Sequence, residues 1–290
     1  MTALFALATS LLWGLADFGG GLLTRRMPAL TVVVLSQTIA VLVLGCVVVS
    51  TGAWTEADPR LWYAVAGGAV GPVAMLCFYK ALALGPMGVV SPLGSIGVAV
   101  PVGVGLLIGE RPGLLQFAGI GVAVVGIVLA GGPQLRGAPV RRRAILLTLV
   151  AAVGFGAVMT LISEASTTVT GLFLALFVQR VTNVAVGGSA LYVSTRRGAP
   201  ALPSAEDGGI HVVRAALPAL AFVGLADVAA NGTYAIAAQH GPVTIAAVLA
   251  SLYPVVTAIV ARGVLKERLL AVQAAGAGLA LVGTVLLAAG

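Results

Sequence analysis

Four ionisable residues lie inside long apolar stretches of this 290-residue chain: Asp17, Lys80, Arg180 and Asp227. Ionisable side chains in such a setting usually face the interior of a helix bundle, where they mark a solute pathway or a proton relay. Asp17 and Lys80 each lie late in an apolar stretch, and both stretches end on the same face of the membrane. These two residues are therefore candidates to pair or to exchange a proton. Lys80 has an alternative role, because a lysine can lie along apolar surface with its ammonium in water.

Arg180 and Asp227 occupy the middle of two consecutive apolar stretches, so we expect them to lie close together. They can form a purely structural pair, because an unpaired buried charge is strongly destabilising. Alternatively, the Asp227 carboxylate takes up and releases protons during a functional cycle. The residue pattern leaves both roles open.

A polar stripe accompanies Asp227, and an aromatic residue lies one turn before Asp17. Asn231 and Tyr234 share one helical face with Asp227, and Trp13 shares a face with Asp17. A carboxylate beside an amide and a phenol suits an amine-bearing solute, although such a stripe can also be hydrogen-bonding glue between helices. Trp13 is expected to pack between helices or to line a pathway.

Prolines in or beside two apolar stretches predict bent or broken helices whose freed carbonyls face a cavity or a neighbouring helix. These prolines are Pro86, Pro92, Pro101, Pro242 and Pro254. A serine near them can also bond back to its own helix. The candidate pathway residues close to these breaks are Tyr79, Ser91, Ser95, Ser251 and Tyr253.

The composition excludes an ordinary water-facing surface, because 60% of the residues are hydrophobic and only 9% are charged. The chain is therefore predicted to be an all-α integral membrane protein with the lipid bilayer as its partner. Its net charge of +7 lies mainly in the connections, which indicates membrane orientation rather than nucleic-acid binding. Cys46 and Cys77 lack metal-ligand spacing, and no metal or cofactor is expected.

Ten membrane spans follow from the apolar runs and their breaks, with five in each half of the chain. They are residues 2–23, 29–50, 61–84, 88–108, 113–131, 144–163, 170–193, 214–238, 242–262 and 269–289. Basic residues concentrate in the odd-numbered connections, which places both termini outside by the positive-inside rule.

The chain is also predicted to be a duplication. Glu110-Arg111 and the small residues after it recur in order from Glu267-Arg268, with Gly119, Gly126 and Ala123 matching Gly276, Gly283 and Ala280. We therefore expect two halves, 1–138 and 139–290. An odd number of spans in each half makes the second copy cross the membrane in the opposite direction, as in many secondary transporters.

Short motifs at corresponding places resemble the drug/metabolite transporter superfamily, specifically its EamA-type ten-helix members. They are Phe78-Tyr79-Lys80-Ala81-Leu82-Ala83-Leu84-Gly85-Pro86, Trp13-Gly14, Gly109-Glu110-Arg111, Ser251-Leu252-Tyr253-Pro254 and Lys266-Glu267-Arg268. The resemblance implies a carrier or exporter of small metabolites, often amino acids or related compounds, in the inner or plasma membrane. It also implies cytoplasmic termini, opposite to the charge count.

The leading functional hypothesis is a secondary transporter of a small metabolite or amphipathic drug, working by alternating access. Proton coupling through Asp17 or Asp227 is left open, and ten crossings are enough for a monomer to enclose a pathway. The chain lacks the Gly-x-x-x-x-Gly-Lys-Ser/Thr spacing of an ATP-binding loop. The first alternative is an integral-membrane enzyme acting on a lipid or isoprenoid, which the dispersed acidic residues and only two histidines do not favour. The second is a non-transporting scaffold, which would not require four charges within the spans.

Overall fold

The computed structural model describes residues 2–100, 113–131, 140–204, 208–240, 249–250, 252–265 and 271–289, and within them it contains helices and no strands. Short 3-10 helices cover Ala53–Glu56 and Ser95–Val98. The α-helices are α1 Thr2–Thr24, α2 Ala29–Thr51, α3 Leu61–Leu84, α4 Met87–Gly94, α5 Leu114–Gly131, α6 Arg142–Glu164, α7 Val169–Arg196, α8 Gly209–His240, α9 Tyr253–Leu265 and α10 Ala271–Ala289.

Eight of these helices lie close to predicted spans, whereas α4 and α9 cover only parts of spans 88–108 and 242–262, which lie partly outside the described residues. Six of the described helices are long and apolar enough to cross a membrane. The six are α1, α2, α3, α6, α7 and α8, which makes the chain a multi-pass membrane protein. The predicted span 88–108 begins as α4, which changes to a 3-10 helix after Gly94, two residues beyond Pro92. A helix interrupted at this proline was expected. Ser251 and both Glu-Arg pairs lie outside the described residues.

The burial pattern is the reverse of that in a water-soluble protein. Large apolar side chains cover the outside of the bundle, for example Leu42 (66% exposed) and Trp62 (75% exposed). Polar side chains lie inside, and Gln37, Gln179 and Asn183 are each at most 1% exposed. Such a surface suits lipid, and the interior polar groups need partners within the protein.

Helix pairing follows a reciprocal scheme. The first helix of the chain packs on α8 and its counterpart α6 packs on α3, while α2 pairs with α7 and α5 with α10. On α1 and α8, Thr9 bonds Thr233 at 2.8 Å and Gly19 faces Val223, so positions rise along one helix as they fall along the other. These two helices are therefore antiparallel.

The same reciprocity holds at individual residues. A Cβ on Gly126 of α5 would meet the backbone of Ala280 on α10, and a Cβ on Gly283 of α10 would meet the backbone of Ala123 on α5. These contacts join positions that are equivalent in the two sequence copies, and they make α5 and α10 antiparallel. The small residues allow this close approach. On the same two helices, a Cβ on Gly121 or Gly278 would meet nothing within 4 Å among the described residues.

A second reciprocal contact positions the interior polar groups. A Cβ on Gly68 of α3 would meet the carbonyl oxygen of Gln179 on α7, and a Cβ on Gly224 of α8 would meet the carbonyl oxygen of Ser36 on α2. Each glycine therefore lets a helix backbone lie directly against the segment that carries a buried polar side chain. The residues that follow these carbonyls are Gln37 and Arg180, which makes them equivalent positions in the two copies.

Candidate functional site

A cavity of about 90 Å³ opens between α1, α3, α6, α7, α8 and α9. That volume has room for several water molecules or a small solute. Its wall is formed by Trp13, Ala16, Asp17, Gly71, Met75, Tyr79, Phe155, Val158, Met159, Gln179, Arg180, Asn183, Asp227, Asn231 and Tyr253.

One side of the cavity carries a closed network of charged and amide groups from three helices. Nη1 of Arg180 lies 3.0 Å from Oδ2 of Asp227, and the two side chains are 4% and 16% exposed. The same Nη1 donates to Oε1 of Gln37 at 2.9 Å, and Nε2 of Gln37 donates to Oδ2 of Asp227 at 3.3 Å. The expected pairing of Arg180 with Asp227 is thus present, and it holds α2, α7 and α8 together.

Asn231 donates further hydrogen bonds to Asp227. Its Nδ2 donates to Oδ1 of Asp227 at 3.2 Å and to the Asp227 carbonyl oxygen at 2.7 Å. Tyr234, the third member of the predicted stripe, is 8% exposed and is absent from the cavity wall. Asn231 therefore hydrogen-bonds to Asp227, whereas Tyr234 packs between helices.

Several polar atoms on α7 have no hydrogen-bond partner among the described residues. They are Nε and Nη2 of Arg180, both side-chain polar atoms of Asn183, and Oε1 of Gln179. All three residues line the cavity and are nearly fully buried. Unpartnered buried donors and acceptors are costly, so a set of them around one cavity indicates a place for a polar ligand or water.

Asp17 lines the same cavity from α1 and has no hydrogen bond or ion pair within the described part of the chain. Asp227, Tyr79 and Tyr253 line this cavity together with Asp17. The predicted partner Lys80 is exposed and outside the cavity wall, so the pairing of Asp17 with Lys80 is wrong in this structure. The rotation of α3 turns Tyr79 inward and Lys80 outward, as the alternative role of Lys80 requires.

Aromatic rings form the end of the cavity near Asp17. The ring centroid of Trp13 is 5.9 Å from those of both Tyr234 and Tyr253. Tyr79 is 2% exposed and its ring lies against Gly20 of α1, where a Cβ would be within 2.7 Å of the hydroxyl oxygen. Trp13 therefore has both roles considered for it, since it packs against two rings and lines the cavity.

Ser91 and Ser95, the two predicted serine candidates within the described residues, are absent from the cavity wall. Oγ of Ser95 donates to the Pro92 carbonyl oxygen at 2.7 Å, which is the self-bonding alternative. Ser91 is fully buried, and its hydroxyl has no partner among the described residues. Both residues are instead buried among packed helices, Ser91 on α4 and Ser95 at the start of the 3-10 helix that follows it.

The cavity wall also has an apolar part, which consists of Met75, Phe155, Val158 and Met159. Phe155 packs edge to face on Phe78 with centroids 5.4 Å apart, which is the counterpart of the packing of Trp13 on Tyr234. By the same correspondence Met159 stands where the other copy has Asp17. Equivalent positions of the two copies therefore carry unlike side chains at this cavity, an aspartate in one copy and a methionine in the other.

Sequence reasoning missed Gln37, Gln179 and Asn183, and it also missed the apolar wall. A usable signal existed for α7, because Gln179, Arg180 and Asn183 share one helical face in an otherwise apolar stretch. Methionines and phenylalanine in apolar helices carry no comparable signal, since most such residues only pack.

Both halves of the chain match the same protein family. The model of the EamA-like transporter family matches residues 1–132 and again residues 142–289. A solved structure titled only "Crystal structure of protein" has a TM-score of 0.64 at 18% identity, covering 99% of this chain and 96% of that one. This likeness concerns the fold alone. No curated protein matches the chain.

Proposed function

The chain belongs to the EamA-like transporter family, and we propose that it is a secondary carrier that moves a small solute across the membrane through the cavity beside Arg180 and Asp227. The family resemblance seen in the residues is confirmed, and with it a general role as a membrane transporter. The proposed cargo is a small metabolite, either an amino acid or a related amphipathic compound. The proposed location is the inner or plasma membrane.

One observation carries the proposal. The charged pair Arg180 and Asp227 is buried beside a cavity inside the bundle, and hydrogen bonds from Gln37 and Asn231 to Asp227 hold it. Burying two charges costs more than apolar packing of the same volume. A cavity lined by them suits a solute that needs polar contacts while it crosses lipid.

Alternating access is proposed to come from two inverted copies, 1–138 and 139–290, that rock against each other. The reciprocal contacts of Gly126 with Ala280 and of Gly283 with Ala123 support this arrangement, because a two-fold axis in the membrane plane makes equivalent helices antiparallel. The cavity holds equivalent residues of both copies, such as Asp17 and Met159. Rocking would therefore expose it to the two sides in turn.

Proton coupling is proposed to use Asp17. Among the described residues this carboxylate lacks the ion-pair and hydrogen-bond partners that Asp227 has, so its charge is left for a proton or a cationic group to neutralise. A neutral aspartic acid at the cavity wall would change the charge of the carrier between its two states. Asp227 is the second candidate, for a state in which Arg180 moves away.

Purified protein in liposomes tests the proposal. Tritiated amino acids and cationic drugs are offered with and without a pH gradient, and saturable uptake of at least one is the expected result. The Asp58→Asn variant is the control, because Asp58 is exposed in the connection before α3. Failure of every solute to cross, together with turnover of an added lipid or isoprenoid, would replace the carrier by an enzyme.

A further inference from the structure

Eight exposed arginines lie at the ends of four helices. Two follow α1, three lie at the start of α6, two lie at the end of α7, and one lies in the second turn of α8. They are Arg25, Arg26, Arg141, Arg142, Arg143, Arg196, Arg197 and Arg214. We call the end of the bundle that carries them the arginine face.

Helix contacts bring the end of α1, the start of α6 and the start of α8 together at this end. A Cβ on Gly21, near the end of α1, would be 2.9 Å from the Cβ of Leu82, near the end of α3. The end of α3 meets the start of α6, because a Cβ on Gly85 would be 3.4 Å from that of Ala144. Since α1 and α8 are antiparallel, α8 begins where α1 ends.

The end of α7 lies at the same end of the bundle. A Cβ on Gly67 of α3 would be 3.8 Å from Nε2 of Gln179, and a Cβ on Gly71 would be 2.6 Å from Nδ2 of Asn183. Positions therefore rise together along α3 and α7, so these two helices are parallel. Both of them finish at the arginine face.

The three arginines at α6 are unfavourably placed for the helix itself. Arg141 immediately precedes the helix, and Arg142 and Arg143 are its first two residues. The start of a helix carries a partial positive charge, so acidic side chains are favoured there and basic ones are not. These three side chains form no ion pair or hydrogen bond with any described residue. An anion outside the helix bundle would account for their position.

Exposed aromatic residues mark the two boundaries of the membrane. At the arginine face Tyr192 is 59% exposed, and the guanidinium carbon of Arg196 lies 5.1 Å from its ring centroid. Nε of Arg196 also donates to the Tyr192 hydroxyl at 3.1 Å. At the opposite end Trp54 and Trp62 are 53% and 75% exposed. Tyrosine and tryptophan concentrate at the depth of the lipid head groups, so Arg196 lies at that depth.

The two ends of the bundle differ in charge. At the opposite end one exposed arginine, Arg60, accompanies three exposed acidic residues, Glu56, Asp58 and Glu164. Within the described residues the arginine face has no acidic side chain. The connection between α7 and α8 also contains Glu206 and Asp207, which lie outside the described residues, and the eight arginines exceed these two in number. The arginine face is therefore strongly basic.

We propose that the arginine face binds the head groups of anionic phospholipids. Phosphate oxygens accept charge-assisted hydrogen bonds from guanidinium groups. Basic residues just outside a membrane span are also attracted to an anionic lipid surface. Lipid binding at this face is independent of the proposed carrier function, because none of the eight arginines belongs to the cavity wall.

A lipid surface suits these side chains better than a free phosphate ion does. All eight are exposed and they extend from four different helices, so a small anion bound to any of them stays in contact with water. A lipid leaflet instead presents many phosphates in one plane at the depth of Tyr192. Arginines at several helix ends can contact that plane at the same time.

Native mass spectrometry of the full-length protein in a neutral detergent measures the binding of single lipid molecules. Dioleoyl phosphatidylglycerol, which is anionic, should bind at least about tenfold more tightly than dioleoyl phosphatidylcholine, whose head group has no net charge. Glycerophosphoglycerol, the same anionic head group without acyl chains, should not displace the lipid at equal concentration. Equal binding of the two lipids would overturn the proposal. Displacement by the soluble head group would also overturn it, because the arginines would then bind free phosphate.

A matched pair of variants locates the binding surface. Arg141 immediately precedes α6 and Arg60 immediately precedes α3, so the two arginines occupy the same position of their helices at opposite ends of the bundle. Arg141→Gln should raise the dissociation constant for phosphatidylglycerol roughly fivefold, whereas Arg60→Gln should leave it within about twofold. Equal effects of the two substitutions would contradict lipid binding at the arginine face.

A triple variant separates lipid binding from a structural role. Arg141→Gln combined with Arg142→Gln and Arg143→Gln should weaken phosphatidylglycerol binding about tenfold or more beyond the single variant. Its unfolding temperature in detergent should stay the same or rise, because the substitutions remove positive charge from a helix start. Unchanged lipid binding in the triple variant would overturn the proposal. Loss of folding would do the same, since the arginines would then stabilise α6 itself.

Discussion

Nη1 of Arg180 lies 3.0 Å from Oδ2 of Asp227, and this contact joins α7 to α8 in the centre of the bundle. Gln37 bridges the same two groups from α2, at the position equivalent to Arg180 in the other copy. One copy thus supplies a charge where the other supplies an amide that binds it. The cavity beside them is lined both by charged side chains, Asp17 among them, and by methionines.

Removing one partner of the pair should destabilise the protein more than removing both. Arg180→Met leaves Asp227 buried and uncompensated, at an expected cost of about 3–5 kcal/mol in the free energy of unfolding. The double variant Arg180→Met with Asp227→Leu should recover most of that loss. Thermal unfolding in detergent measures both, with Arg214→Gln as the exposed control. A double variant less stable than either single variant would contradict the pairing.

The close approach at Gly224 should be sensitive to a single methyl group. Gly224→Ala places a Cβ against the Ser36 carbonyl oxygen, and overpacking of this kind costs about 1–3 kcal/mol. Gly188→Ala on α7 is the matched control, because a Cβ there meets nothing within 4 Å. Its unfolding temperature should stay the same or rise, since alanine favours helix more than glycine. Equal effects of the two substitutions would show that the contact is absent.

Asp17 should be needed for coupling and not for folding. Asp17→Asn keeps the side-chain volume and removes the titrating group, so uptake driven by a pH gradient should be lost while counterflow without a gradient continues. Asp58→Asn should leave both intact. Gradient-driven uptake that survives in Asp17→Asn would remove this residue from the coupling step.

Lys80 should be dispensable for the transport cycle. It is exposed on the outer face of α3, one residue after the buried Tyr79, and it contributes nothing to the cavity wall. Lys80→Met should therefore leave KM and maximal uptake within about twofold of wild type, as expected of a substitution away from the site. A loss of uptake at unchanged protein level would restore the pairing of Asp17 with Lys80.

The helices and part of the site could be predicted from the sequence because both follow from the cost of placing polar groups in lipid. That cost identified Asp17, Arg180 and Asp227, all of which line the cavity. The same criterion wrongly placed Lys80 at the pathway, because the depth of a residue in a span does not reveal which way the helix is rotated.

The remainder of the site depends on tertiary contacts. Gln37 was overlooked because an uncharged amide in an apolar helix usually serves packing. Its role follows from the contact between α2 and α8 at Ser36 and Gly224, which places Gln37 within hydrogen-bond distance of Asp227. Asn183 and Met159 likewise can be assigned to the site only because helix packing places them in the cavity wall.

The apolar wall should set the preferred size of the solute. Met75→Ala and Met159→Ala enlarge the cavity, so relative uptake should shift from leucine toward larger side chains such as that of tryptophan. Val73→Ala is the control, because Val73 is 53% exposed on the lipid-facing side of α3. Competition curves for a series of amino acids measure the shift, and an unchanged order of preference would place the solute elsewhere.

The central claim, that the solute binds in this cavity, is tested most directly through Trp13. Of the three tryptophans, Trp54 and Trp62 are exposed, so the variant Trp54→Phe with Trp62→Phe retains only the tryptophan at the cavity wall. A transported solute should protect Trp13 from quenching by acrylamide, saturably and at concentrations near its KM. A solute that this variant transports with an unchanged KM, but that gives Trp13 no protection, would contradict the account.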